Sequence, residues 1–127
     1  MKYLLDTHAL IWFLEGDQRL SATAQNIICN DDTDIFVSIV SLWEMAIKIS
    51  LGKLELSQSL DQIFDRLPQQ NITLLPIQPA HVLAVSSLPF EHRDPFDRLL
   101  IGQALVENMK FISNETLFLG YLVDRIW

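Results

Sequence analysis

The sequence predicts a three-layer α/β/α domain with a parallel sheet of four to five strands, a single unit over residues 1–127. Three observations carry that expectation. Short β-like runs alternate with helical patterns along the whole chain. Strands joined through helices need right-handed crossovers, which make the sheet parallel and cover both its faces. The 127 residues suit one compact unit, and half of them are apolar, enough to build a core at this size.

The elements follow in order. "KYLL" (2–5) is a short apolar run and the first strand. "ALIWFLEG" reads as a helix stopped by Gly16. "SATAQNIICN" is a second helix opened by Ser21 as N-cap. "DIFVSI" (34–39) is rich in β-branched residues and follows the polar loop "NDDTD". "SLWEMAIKISLG" is a helix from Ser41 that ends before Gly52. "SQSLDQIFDRL" sets Leu60, Ile63, Phe64 and Leu67 on one face and stops at Pro68. "ITLLPI" (72–77) is the third strand, and "PAHVLAVSSL" a helix with Pro79 in its first turn. "PFDRLLIGQALVENM" is a long apolar helix suited to burial. "KFIS" (110–113) is the fourth strand, "ETLFLGYL" a short helix and "VDRIW" a last edge strand.

Composition narrows the function. Sixteen Asp and Glu against nine Lys and Arg leave a formal net charge of −7. A passive nucleic-acid coat needs a basic footprint, so the balance speaks against that class. It leaves room for a nuclease whose cations arrive as metal ions. The lone Cys29 permits no intramolecular disulfide, which fits a reducing cytoplasm, and its expected place is a buried helical position. The apolar runs are short and interrupted, so no membrane span is expected. Asp6 and His8 break the apolar N-terminal stretch, and no small-residue cleavage site follows it.

In a parallel α/β sheet the site lies beyond the carboxyl ends of the strands, where strand order reverses. Four acids fall in suitable places. Asp6 follows the first strand, and Glu44 lies in the first turn of the helix after the second. Asp97 lies in the first turn of the helix before the fourth strand, and Glu115 comes just after that strand. Each acid has a plain alternative role. Asp6 and Asp94 are good N-caps, Asp97 and Glu44 fall at the third helical position behind Asp94 and Ser41, and Glu115 is a favourable charge at a helix start. A cap is worth about 0.5–2 kcal/mol. Capping does not require carboxylates after three different strands, because Ser, Thr or Asn would serve. Carboxylates sharing a crevice repel one another until a cation relieves them. Oxygen ligands without cysteine or His-rich spacing point to Mg²⁺ or Mn²⁺, which bridge carboxylates to phosphates and activate water.

The segments "LLDTHALIW", "SIVSLWEMAIKISLGKLEL", "HRDPFDRLLIGQA" and "YLVDRIW", in this order, resemble the PIN-domain ribonucleases, above all the toxins of VapC-type toxin–antitoxin pairs. The resemblance covers the whole chain. It implies a metal-dependent endoribonuclease with a five-stranded parallel sheet, dimeric, and blocked by a cognate antitoxin. By position, Asp6, Glu44 and Asp97 match metal-binding acids of the family, and Glu115 stands where the family usually has Asp, one methylene longer. Asp6 and Asp97 would hold Mg²⁺ directly, with Glu44 and Glu115 as ligands or acting through water. Thr7 and Ser113 would hydrogen-bond the carboxylates, with helix capping as their alternative role.

Lys48, one turn beyond Glu44, and Arg98 read either as solvated charge or as phosphate-steering cations for an RNA substrate. Lys53 and Arg93 are weaker candidates of the same kind. His8, His81 and His92 show no ligand spacing with one another. "IWFL" in the first helix is a candidate dimer surface, and Trp12, Phe13, Trp43 and Phe64 read as core or dimer surface before base-stacking platforms. The rival from another class is a catalytically weak PIN-like module that binds RNA or protein. A phosphatase with Asp-x-Asp after the first strand is excluded by Asp6-Thr7-His8.

Overall fold

The computed structural model describes residues 1–89, 94–116 and 123–127. The described elements are β1 (Lys2–Leu5), α1 (Thr7–Glu15), α2 (Ala22–Ile28), β2 (Asp34–Ser38), α3 (Ile39–Ser50), α4 (Leu60–Gln69), β3 (Ile72–Leu75), α5 (Pro79–Ser86), α6 (Pro95–Val106), β4 (Lys110–Ile112) and β5 (Arg125–Ile126). They form the expected three layers around one parallel sheet of order β3-β2-β1-β4-β5. In the register, Leu5 lies beside Val37 on one side and Ile112 on the other.

The alternation of side chains along each strand divides the core in two. Tyr3, Leu5, Ile35, Val37, Ile72 and Ile112 face the layer of α1, α2, α3 and α4. Leu4, Leu75 and Phe111 face α6 with its Leu100, Ile101 and Ala104. Leu4, Leu5, Leu10 and Phe111 are fully buried, and each such side chain contributes about 1.5–3 kcal/mol.

Several boundaries differ from expectation, each for a local reason. Asp6 caps α1, so that helix begins two residues before Ala9. Gly16 ends it with φ of 63°, its N–H bonding back to the carbonyls of Phe13 and Trp12. α3 begins at Ile39 because Ser38, not Ser41, is the cap; its hydroxyl accepts the Val40 N–H at 3.0 Å. α4 opens with a reciprocal Ser59–Gln62 capping box and runs through Pro68 into its last turn. That proline and Phe64 face solvent, so the carbonyl that loses its helical partner is not shut away in the core. Phe64 is accordingly exposed, while Ile63 and Leu67 are buried. α6 stops at Val106 because Asn108 takes a left-handed φ of 55° and the Met109 N–H turns back to the Ala104 carbonyl. Cys29 is exposed at the C-cap of α2 rather than buried within a helix. The short α2 turns Ala24 and Ile28 inward, and Cys29, one residue past Ile28 at the helix end, is left outside. Most of the helix expected over 115–122 lies outside the described residues, as do His92 and Arg93.

Two contacts fix α6. At its start, Phe96 meets Trp43 of α3 edge-on, with ring centroids 5.1 Å apart. At its middle, Gly102 lets α5 approach so closely that a Cβ there would stand 3.0 Å from the His81 carbonyl.

Candidate active site

The chain leaves β1 for β2 and β3 on one side, then returns to place β4 on the other, so β1 and β4 flank the switch point. Asp6 follows β1 directly, and its N–H extends the ladder to the Ile112 carbonyl at 3.0 Å. Its carboxylate is 5% exposed. One oxygen accepts the Ala9 N–H at 2.7 Å, which is the expected cap, and the other accepts the Ser113 hydroxyl. Ser113 Oγ also accepts the Glu115 N–H at 3.0 Å, tying the end of β4 to Asp6. Burial pushes the Asp6 carboxyl above its ordinary range, and the charge of Glu44 adds to this. The Ser113 and Ala9 hydrogen bonds and the His8 imidazole pull the other way.

Glu44 is buried on α3, and its place corrects the capping expectation. With Ser38 as the cap, Glu44 is the sixth helical residue, in the second turn, where its side chain caps nothing. Instead the Thr7 hydroxyl donates to Oε1 at 2.7 Å and Lys48 Nζ pairs with Oε2 at 2.8 Å. The Ser41 hydroxyl stands 3.0 Å from that of Thr7. Since the single Thr7 proton goes to the carboxylate, Ser41 donates to Thr7. A buried carboxylate needs such partners to remain charged.

Asp97 is half-buried at the third position of α6. Asp94 is the cap, accepting the N–H groups of Phe96 at 2.9 Å and Asp97 at 3.3 Å. Glu115 is half-buried and lines an open cleft of about 210 Å³ together with Asp6, His8, Trp12 and Asn114. Thus Asp6 lies within electrostatic reach of Glu44 and shares a cleft with Glu115, whereas Asp97 is not on that cleft wall. Among the described residues, no three Asp, Glu, His or Cys side chains are grouped to hold one metal ion.

Thr7 and Ser113 do bond the carboxylates, one each. Arg98 donates to the carbonyls of Pro89 at 2.9 Å and Val85 at 3.2 Å, strapping the segment after α5 to α6. In "IWFL", Leu14 is buried and Ile11, Trp12 and Phe13 pack half-buried against the core. Ser41 and Asn114 join the site without a sequence signal for it, and Trp12 does so although core or dimer surface is its leading sequence reading. The spacing of Trp12 from His8, four residues along the helix that Asp6 caps, was the available signal. A separate hollow of about 640 Å³ is lined by Asp34, Asn71 and neighbours at the amino ends of β2 and β3, away from these acids.

A doubly wound parallel sheet with a buried acid at its switch point defines the class of molecule: an α/β domain with an acidic site. More particularly, the PIN domain profile matches residues 3–120, and the chain belongs to the PIN-domain family, whose members are generally nucleases. Similar solved structures include VapBC2 from Rickettsia felis bound to a fragment of promoter DNA, at 16% identity, covering 98% of both chains, with a TM-score of 0.68. FitAcB from Neisseria gonorrhoeae is also 16% identical, covering 98% of this chain and 96% of that one, with a TM-score of 0.70. VapBC-1 from nontypeable Haemophilus influenzae is 18% identical, covering 99% and 97%, with a TM-score of 0.65. At such identities these structures show a shared fold. No curated protein matches the chain. No helix among the described residues is long and apolar enough to cross a membrane.

Proposed function

We propose that this chain is a divalent-metal-dependent endoribonuclease, the toxin of a toxin–antitoxin pair, active in the cytoplasm as a homodimer and restrained by a cognate antitoxin. The observation that carries the catalytic part is Asp6: a buried carboxyl at the switch point, raised by burial and by Glu44, open to a cleft that Glu115 also lines. The toxin–antitoxin part is supported by the similar structures, several of which are toxin–antitoxin complexes.

The residues fit a Mg²⁺ or Mn²⁺ ion. Mg²⁺ keeps most of its waters and needs only one or two carboxylates with substrate phosphates, so a three-acid cage is not required. Asp6 and Asp97 are the direct ligands in this reading, and Glu44 and Glu115 act as ligands or through water. When bound, the ion supplies a polarised water and neutralises phosphate charge. The chain's own groups do the rest. Ser113 and the Ala9 N–H orient Asp6, and Thr7 orients Glu44. Lys48 spends one ammonium donor on Glu44 and is 37% exposed, which leaves donors for an RNA phosphate. Lys48 and Arg98 are the substrate cations in this reading, Arg98 also holding the main-chain carbonyls of Pro89 and Val85.

The test is RNA cleavage with Mg²⁺ or Mn²⁺ by wild type, Asp6→Asn and Asp97→Asn. Loss of cleavage in both variants is expected, and undiminished cleavage by either overturns the assigned roles. One observation favours a second reading, a PIN-like module that only binds RNA or protein: both Glu44 oxygens already have protein partners. A Mn²⁺-dependent rise in melting temperature separates the two, because the module predicts none.

A further inference from the structure

We propose that His8 and Trp12 form a nucleobase-stacking subsite that holds the RNA residue next to the cleaved phosphate; this deepens the nuclease reading above and rests on it. The two rings stand four residues apart on α1, so they share a helix face, and that face begins at the Asp6 cap. Their centroids are 5.8 Å apart at 41°. One cleft joins both rings to Asp6, Glu115 and the exposed amide of Asn114. At about 210 Å³ and open to solvent, it has room for a planar ring system next to the acids.

The wall is held in place from behind. Trp127 meets Trp12 edge-on at 5.7 Å. Arg19 lies over the indole with Cζ 5.1 Å from the ring centroid, and its own guanidinium is fixed by Asp17 at 2.7 Å. Outward from the site the order is thus carboxylate, imidazole, indole, guanidinium. Trp12 is half-buried on an open cleft, and His8 is exposed.

Charge explains why such a subsite is needed. A chain of net charge −7 with acids at its centre gains little from phosphate attraction away from the metal. Stacking on an aromatic face is independent of that charge and tolerates any base, since each presents a π-face. The Asn114 amide offers a donor and an acceptor to a base edge.

The test uses the full chain and a short single-stranded RNA carrying an abasic residue at each position in turn, read as kcat/KM. For wild type, one abasic position beside the cut is expected to lower kcat/KM by about 5- to 100-fold. His8→Ala and Trp12→Leu are each expected to lower cleavage of intact RNA, mainly through KM, and to make that same abasic position harmless. Thermal melts check folding; His8 is exposed, so His8→Ala carries the test if Trp12→Leu does not fold. Equal losses on intact and abasic RNA, or no abasic effect in wild type, overturn the subsite and leave the nuclease reading standing. No RNA cleavage by wild type overturns both. Unchanged RNA cleavage with weakened inhibition by a protein partner overturns the subsite and assigns the cleft to protein docking.

Discussion

Replacing Thr7 with Val removes one proton donor from a buried carboxylate while keeping the side chain's shape. Glu44 is 4% exposed and accepts from Thr7 at 2.7 Å and Lys48 at 2.8 Å. A hydrogen bond to a charged group is worth about 1.5–3 kcal/mol. Lys48 remains in the variant, so the middle of that range applies, and Thr7→Val is expected to cost about 2 kcal/mol at neutral pH. For a chain of this length that corresponds to a fall in Tm of about 8 °C. Urea denaturation should show the same loss as a lower midpoint at an unchanged slope. A double-mutant cycle with Glu44→Leu, which leaves no acceptor for the Thr7 hydroxyl, should return a coupling of about 1–2 kcal/mol, because either change removes the same interaction. Thr7→Ser, which keeps the hydroxyl, should recover most of the stability. A Thr7→Val protein within about 0.5 kcal/mol of wild type, or a cycle without coupling, would refute the claim that this hydroxyl holds the carboxylate.

The raised Asp6 carboxyl contributes stability that is full below the ordinary Asp range and is lost as pH rises through the higher folded value. Asp6→Asn removes that loss, so in chelator at neutral pH the variant should melt above wild type, with the gap closing as pH falls; an equal or lower Tm at pH 7 counts against a strained acid. Mn²⁺ at about 100 times its Kd should stabilise wild type by about 2.7 kcal/mol in thermal melts, and Asp6→Asn far less. Gly102→Ala drives a Cβ to 3.0 Å from the His81 carbonyl, and the overpacking should cost about 1–3 kcal/mol in denaturant titrations. His81→Leu removes the acceptor of the Gln78 N–H at 2.9 Å and the partner of Glu107 at 2.8 Å, and should cost about 2–3 kcal/mol by the same measurement.

The layered architecture was legible in the residues because its signals are local. The β-branched residues of "DIFVSI" behind a polar loop, a stop at Gly16 and caps at Asp6, Ser21 and Asp94 act within a turn or two, and each is where the pattern put it. The start of α3 was not legible, because Ser38 and Ser41 are both good caps. Burial broke the tie: drawing Ile39 and Val40 into the helix sets Val40, fully buried, beneath α6. That shift moved Glu44 from a capping position to a buried one facing Thr7.

Local chemistry therefore named the strands, the helices and the acids at their ends. Only the folded sheet decided which acids meet. Ser113 reaches Asp6 across a separation of 107 residues, and Thr7 reaches Glu44 across 37. Those pairings follow from β4 lying beside β1 and from α3 packing against α1, and strand order is a property of the whole chain that no short window of residues encodes.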